Sequence, residues 1–268
     1  VNGDGFDDLI VGADSGNDGG PDAGEAYVVF GKASGFGTVD GTGRAVINLT
    51  SLTGAQGFII QGDMTGDYAG YTVSSAGDVN GDGFDDLIVG ARRGDDGGTD
   101  AGEAYVVFGT ASGFGTSVTV GGFARQVIDL TSLTAAQGFI IHGDVAGDFA
   151  GFSGSSAGDI NGDGFDDMVI GAQYGDDGGI DAGEAYVVFG SASGFGASVT
   201  VGGFARRVID LTTLIPSQGF IIQGDATGDR AGYSVAGAGD ANGDGLDDLI
   251  VGAPVGGDGG AEAGQAYV

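Results

Sequence analysis

Residues 77–86 read GDVNGDGFDD, and close copies follow at 158–167 (GDINGDGFDD) and 239–248 (GDANGDGLDD), each 81 residues after the last. In the first of these loops Asp78, Asn80 and Asp82 fall on alternate positions, Phe84 can turn its backbone carbonyl inward, and Asp86 supplies a further carboxylate. Alternate side chains converging on one centre, with Gly81 and Gly83 permitting a tight curl, provide the hard oxygen donors that calcium takes. The equivalent sets are Asp159, Asn161, Asp163, Phe165, Asp167 and Asp240, Asn242, Asp244, Leu246, Asp248. A fourth loop at the start of the chain keeps Asn2, Asp4, Phe6 and Asp8 without the leading Asp.

These loops differ from EF-hands. The twelfth position, Glu in that motif, is Val89, Ile170 or Val251, and the flanks read as strands. An ion-free turn held by Asx hydrogen bonds is the simpler alternative. It leaves three carboxylates packed together, and two like charges about 4 Å apart repel by roughly 4 kcal/mol at an effective dielectric near 20. Calcium is therefore the expected ligand of all four loops. A second acidic stretch, Asp95-Asp96 with Asp100 and Glu103, recurs as Asp176-Asp177 with Asp181 and Glu184. It could hold another cation, but its loose spacing favours a solvated loop.

The elements that carry these loops must be short strands. The 268 residues include 62 Gly and only 3 Pro, with 41% hydrophobic residues. That excludes a disordered polymer and suits strands joined by tight turns. No segment holds a sustained 3.6-residue apolar period, and no apolar run is long enough to span a membrane. Against 38 acids stand 8 Lys and Arg, a net charge of −30. Such a surface repels nucleic acid and anionic membranes and attracts cations. With no cysteine, disulfides and thiolate chemistry are excluded, so calcium is the natural staple for a secreted chain.

In the second repeat the expected strands are 57–63 (GFIIQGD), 71–76 (YTVSSA), 87–91 (LIVGA) and 103–109 (EAYVVFG), bounded by Gly and Asp. Leu87, Ile88 and Val89 are apolar in succession, as are Tyr105 to Phe108, which predicts strands buried on both faces between neighbouring sheets. Copies are near-identical: 101–115 and 182–196 differ only at Thr110 against Ser191. Four-stranded units in tandem predict an all-β chain of β-propeller blades. The expected units are 1–63 (partial), 64–144, 145–225 and 226–268 (partial), with three, four, four and three strands. That makes about three and a half blades, in an open or an intermolecular array.

The loops, the Gly-Tyr or Gly-Phe pairs Gly70-Tyr71, Gly151-Phe152 and Gly232-Tyr233, the element Gly252-Ala253-Pro254, and the Gly-x-x-Tyr-Val element at 102–106 together resemble the FG-GAP repeats of integrin α-subunit propellers and their bacterial relatives. The Pro of that element is Asp14, Arg92 or Gln173 in the other copies. The resemblance covers essentially the whole chain. It implies a calcium-binding propeller, extracellular or at a cell surface, that contacts a protein or glycan ligand in adhesion and has no catalytic role. Two alternatives stay open: a protomer of an extracellular fibre assembling through unpaired terminal strands, and an accessory propeller of a larger secreted enzyme.

Other patterns carry less. The sequence 154–158 (GSSAG) matches a nucleophile motif, but a calcium loop follows it where a helix is required. The sole histidine, His142, is Gln61 and Gln223 in sister units. Arg93-Gly94-Asp95 spells a cell-attachment tripeptide that the sister loops lack, and the Asn48-Leu49-Thr50 sequon has Asp129 or Asp210 in place of its Asn elsewhere.

Overall fold

A computed structural model of the chain describes residues 1–120, 122–201, 203–260 and 262–268. Its strands in chain order are β1 (Leu9–Ala13), β2 (Glu25–Val29), β3 (Thr38–Val39), β4 (Ala45–Val46), β5 (Gly57–Gln61), β6 (Ala69–Gly77), β7 (Asp86–Ala91), β8 (Glu103–Val107), β9 (Thr116–Val120), β10 (Phe123–Asp129) and β11 (Gly138–His142). There follow β12 (Ser153–Gly158), β13 (Asp167–Ala172), β14 (Glu184–Val188), β15 (Ala197–Val201), β16 (Phe204–Asp210), β17 (Gly219–Gln223), β18 (Ser234–Gly239), β19 (Asp248–Ala253) and β20 (Gln265–Tyr267).

Four antiparallel meanders repeat along the chain: β1-β2-β5, β6-β7-β8-β11, β12-β13-β14-β17 and β18-β19-β20. These are the fourteen strands expected from the sequence, built into partial propeller blades. GFIIQ pairs with β2, so it closes the first sheet rather than opening the second.

Six further strands were not anticipated. They form the hairpins β3-β4, β9-β10 and β15-β16 in the segments between the last two strands of each unit. In the second and third units the hairpin reaches back to the preceding sheet. β10 pairs parallel with β5 (Val127 opposite Ile59), and β16 pairs parallel with β11 (Val208 opposite Ile140). An aromatic stack pins the same segments: Phe114 lies on Phe58 with ring centroids 4.2 Å apart, and Phe195 on Phe139 at 4.0 Å.

The run of consecutive apolar residues in β7 and β8 follows from burial on both faces. Val89, Tyr105 and Ile140 pack towards the first sheet against Ala26, Val28, Phe58 and Ile60. The alternate residues Ile88, Val106 and Ile141 pack towards the third sheet against Met168, Ile170, Tyr186 and Val188. Side chains alternate across a strand, so a sheet between two others has no polar face.

Backbones also meet between sheets. Gly24 bridges Ala69, Gly102 bridges Ala150, and Gly183 bridges Ala231, each in parallel. Gly102 has φ +83°, and a Cβ there would lie 2.1 Å from the Ala150 carbonyl oxygen.

Single 3₁₀ turns at Leu49–Ser51, Leu130–Ser132 and Leu211–Thr213 follow the hairpins. Asn48, Asp129 and Asp210 cap them by accepting the N–H of Thr50, Thr131 and Thr212. The Asn of the sequon thus fills a capping position that its sister units give to Asp. Asp129→Ala is expected to cost about 1 kcal/mol and Asp129→Asn only a few tenths. Urea midpoints check this, and equal losses for the two variants would contradict the capping role.

Candidate functional site: acidic loops and buried acid clusters

Three of the four expected metal loops join the first two strands of a sheet, so β6 leads into Asp78 and Asp86 opens β7, while the first loop leads into β1. The loop curls around its own side chains. Asp78 Oδ1 accepts the N–H of Gly81 and Asp82 at 2.8 and 3.0 Å, and its Oδ2 accepts that of Gly83 at 2.9 Å. Asn80 Oδ1 accepts from Asp82, and Asp82 Oδ1 from Phe84. Asp86 is fully buried and accepts from Val79 at 3.2 Å and Gly109 at 2.8 Å.

The third and fourth loops repeat the pattern. Asp159 accepts from Asp163 and Gly164, and Asp240 from Gly243, Asp244 and Gly245. Asn161 and Asn242 accept from Asp163 and Asp244, which in turn accept from Phe165 and Leu246. Asp167 accepts from Ile160 and Gly190, and Asp248 from Ala241 and Asn242. In the first loop Asn2 accepts from Asp4, Asp4 from Phe6, and Asp8 from Gly31.

The residues singled out at each loop are thus tied to one another through the loop backbone, whereas the groups of three acid oxygens within 4.8 Å among the described residues lie elsewhere; the loop donors are oxygens short of positive charge. Among the described residues no Lys or Arg pairs with the carboxylates of any of the four loops. Burial, opposed by its backbone hydrogen bonds and reinforced by Asp82 and Asp78, pushes Asp86 up to about 7, and Asp167 is pushed to about 6 in the same way. A hard cation would satisfy such a set.

Sequence reading missed a residue beside each of two loops. Asp166 Oδ2 accepts the N–H of Asp78 in the preceding loop at 2.8 Å, and Asp247 does the same for Asp159 at 3.0 Å. The ring of Phe165 sits so close to Gly81 that a Cβ would meet it at 2.4 Å. Successive loops are thus coupled side by side, and the only sequence signal was the unvarying second Asp before the strand.

The second acidic stretch departs from the expected solvated loop. Glu103 and Glu184 are buried at the opening of β8 and β14, opposite Ala91 and Ala172, at the far end of the strands from the metal loops. Each Glu accepts two hydrogen bonds: Glu103 from the Asp96 N–H at 2.8 Å and the Tyr105 hydroxyl at 2.5 Å, Glu184 from the Asp177 N–H and the Tyr186 hydroxyl. The crossing segments β5–β6 and β11–β12 add Asp63 with Asp67 and Asp144 with Asp148. Oxygens of Asp63, Asp67 and Glu103 lie within 4.8 Å of one another, as do those of Asp144, Asp177 and Glu184. Asp100 and Asp181 stay outside both groups.

Charge compensation here is sparse. Arg206, from β16, approaches Asp63 and Asp96 at 3.5 Å each, and His142 lies 3.8 Å from Asp96. Burial pushes the His142 imidazole pKa down, and Ser156 of the 154–158 motif lies within β12 rather than at a strand-to-helix turn. Arg93 of the Arg-Gly-Asp sequence contacts Asp100 and Tyr68 of its own loop cluster.

Burial, aided by neighbouring acids, pushes Asp67 up to about 7 and Asp148 up to about 8. A carboxylate raised in the folded state binds more protons there than when unfolded, so its contribution is full below about pH 4 and is lost as pH rises through 7 to 8. In EDTA the melting temperature is expected to fall between pH 5 and pH 8.5. Calcium, which needs the deprotonated acids, should reverse that slope. Melts in EDTA that rise over this range would contradict the assignment.

Comparison with known proteins gives one family. The sequence model of the FG-GAP repeat matches residues 1–29, 69–107, 150–188 and 231–268. Integrin alpha pat-2 of Caenorhabditis briggsae is 29% identical over 264 residues, covering 94% of this chain and 17% of that relative. Integrin alpha-V of Gallus gallus is 33% identical over 202 residues, covering 72% of this chain and 15% of that relative. Integrin alpha-PS2 of Drosophila melanogaster is 29% identical over 216 residues, covering 79% and 13%. The chain spans less than a fifth of the length of these relatives.

Proposed function

Because the chain belongs to the FG-GAP repeat family, we propose that it is a calcium-stabilised extracellular module for adhesion or contact with matrix, without catalysis of its own. The observation that carries this reading is the set of acidic loops, curled on their own oxygens and lacking any Lys or Arg partner among the described residues. Asp78, Asn80, Asp82, Phe84 (through its carbonyl) and Asp86 would hold one calcium ion. The sets beginning at Asp159 and Asp240 would hold one each, and Asn2, Asp4, Phe6 and Asp8 would form a fourth, smaller site. Ions held there would supply positive charge between the first two strands of the second, third and fourth sheets. We take the units as 1–63, 64–144, 145–225 and 226–268.

The extracellular adhesion role draws on the integrin alpha relatives, and cation-stapled loops would give a rigid surface suited to presenting a ligand site. No helix among the described residues is long and apolar enough to cross a membrane. Retention of the chain on a panel of immobilised matrix proteins and glycans, in calcium and in EDTA, tests the role. Calcium-dependent retention that is weakened by Asp163→Asn is expected. Absence of retention on every surface, with the protein folded and calcium-loaded, would overturn it.

A further inference from the structure

The buried acids at the sheet junctions form clusters distinct from the metal loops. About six residues of β7, at roughly 3.3 Å each, separate the two places. We propose that each junction holds a second divalent cation of the hard, oxygen-seeking class: one between Asp63, Asp67 and Glu103 with Asp96 beside it, and one between Asp144, Asp177 and Glu184 with Asp148 beside it.

Three observations carry the proposal. The Asp67 Oδ2 and Asp63 Oδ1 atoms are buried with no hydrogen-bond partner, on side chains that are almost wholly enclosed, and at the next junction Asp144 Oδ1 is a buried oxygen without a partner on a half-buried residue. A buried carboxylate oxygen without a partner is costly and calls for a ligand. The spacing also fits one ion. Three oxygens within 4.8 Å of one another share a centre no more than about 2.8 Å away, and a small inward shift brings them to calcium–oxygen distances of about 2.3–2.6 Å. Finally, the glutamates are oriented before any ion arrives. The Asp96 or Asp177 N–H and the Tyr105 or Tyr186 hydroxyl fix each carboxylate, while the adjacent Gly94 or Gly175 leaves room that a Cβ would fill, at 2.4 or 2.5 Å from the carboxyl carbon.

The two junctions differ in charge. Arg206 leans on the first, and the second has only the Gln223 amide, 3.3 Å from Asp177, among the described residues. The second should therefore bind more tightly. At the next junction Asp225, Asp229 and Asp258 recur, but Gln265 stands where Glu103 and Glu184 stand. The fold therefore accepts Gln at this position.

That natural Gln supplies the test. Glu103→Gln/Glu184→Gln and wild type are compared by native mass spectrometry after exchange from millimolar calcium, and by melting in calcium and in EDTA. The variant is expected to carry two ions fewer and to melt lower in calcium, with no loss in EDTA. An unchanged ion count, with melting raised equally in calcium and EDTA, would overturn the proposal, because clusters neutralised by protons behave that way. Should the variant fold poorly, Asp67→Asn/Asp148→Asn reads the same ion count. Asp163→Asn serves as the separate control for the metal loops. Its loss of one ion in either background keeps a failure of the loop sites distinct from a failure of the junction sites.

Discussion

Removing calcium is expected to lower the melting temperature by about 8–16 °C at neutral pH. Extracellular calcium sites bind at about 10⁻⁴–10⁻³ M, and at tenfold excess over such a Kd linkage contributes roughly 1.4 kcal/mol per site. Three complete loops give about 4 kcal/mol, a large part of a domain's whole stability, and each kcal/mol moves the midpoint of a chain this size by about 2–4 °C. Bare carboxylates add to the loss, since Asp78, Asp82 and Asp86 would face one another with no counter-charge. Differential scanning calorimetry in calcium and in EDTA measures the effect. Superimposable melts would remove the metal from the account.

Gly102→Ala is expected to cost about 4–6 kcal/mol, far beyond its loss of one hydrogen. Two costs add. At φ +83° an L side chain is strained by about 1–2 kcal/mol. The new methyl would also stand 2.1 Å from the Ala150 carbonyl oxygen and 2.4 Å from its nitrogen, both rigid backbone. The sheets would have to part there. That loosens the Ala150-to-Ala101 and Gly143-to-Gly102 hydrogen bonds, each 2.8 Å, on top of an overpacking cost of about 1–3 kcal/mol. Gly113→Ala is the control, because its φ is +87° with nothing within 4 Å of the added carbon. It should show the strain alone. Denaturant titrations that give equal losses for the two variants would contradict the backbone contact between sheets.

The loops were legible because their chemistry is local. Asp78, Asn80, Asp82 and Asp86 lie within nine residues, and the alternation that aims them inward is written in the spacing. The strands of the ladders were legible for a related reason: LIVGA and EAYVV have no polar alternation, which only a sheet covered on both sides accommodates. The hairpins had a signal that went unread. VTVGGFARQVID is two β-rich runs split by Gly-Gly, the usual hairpin turn. Their parallel pairing with the preceding sheet was not readable, because it joins Val127 to Ile59 across most of a repeat.

The junction clusters were hidden by the same distance. Asp63 and Asp67 arrive from one crossing segment, Asp96 from a loop and Glu103 from a strand, so no single window shows them together. One clue was present. Glu103 opens a run, EAYVV, that is otherwise wholly apolar and buried, and a Glu in such a place must have partners. Asp100 and Asp181, which looked like members of the same stretch, instead sit at left-handed turns with φ +52° and remain partly exposed.

Anomalous diffraction from crystals grown in millimolar calcium tests the central claim most directly, because it places the ion as well as counting it. The account predicts a calcium peak inside each of the three complete loops, about 2.3–2.6 Å from carboxylate oxygens of Asp78, Asp82 and Asp86 and from the Phe84 carbonyl, with matching peaks at the sets beginning at Asp159 and Asp240. Loops with the same curled backbone and no anomalous signal at any of the three would contradict it.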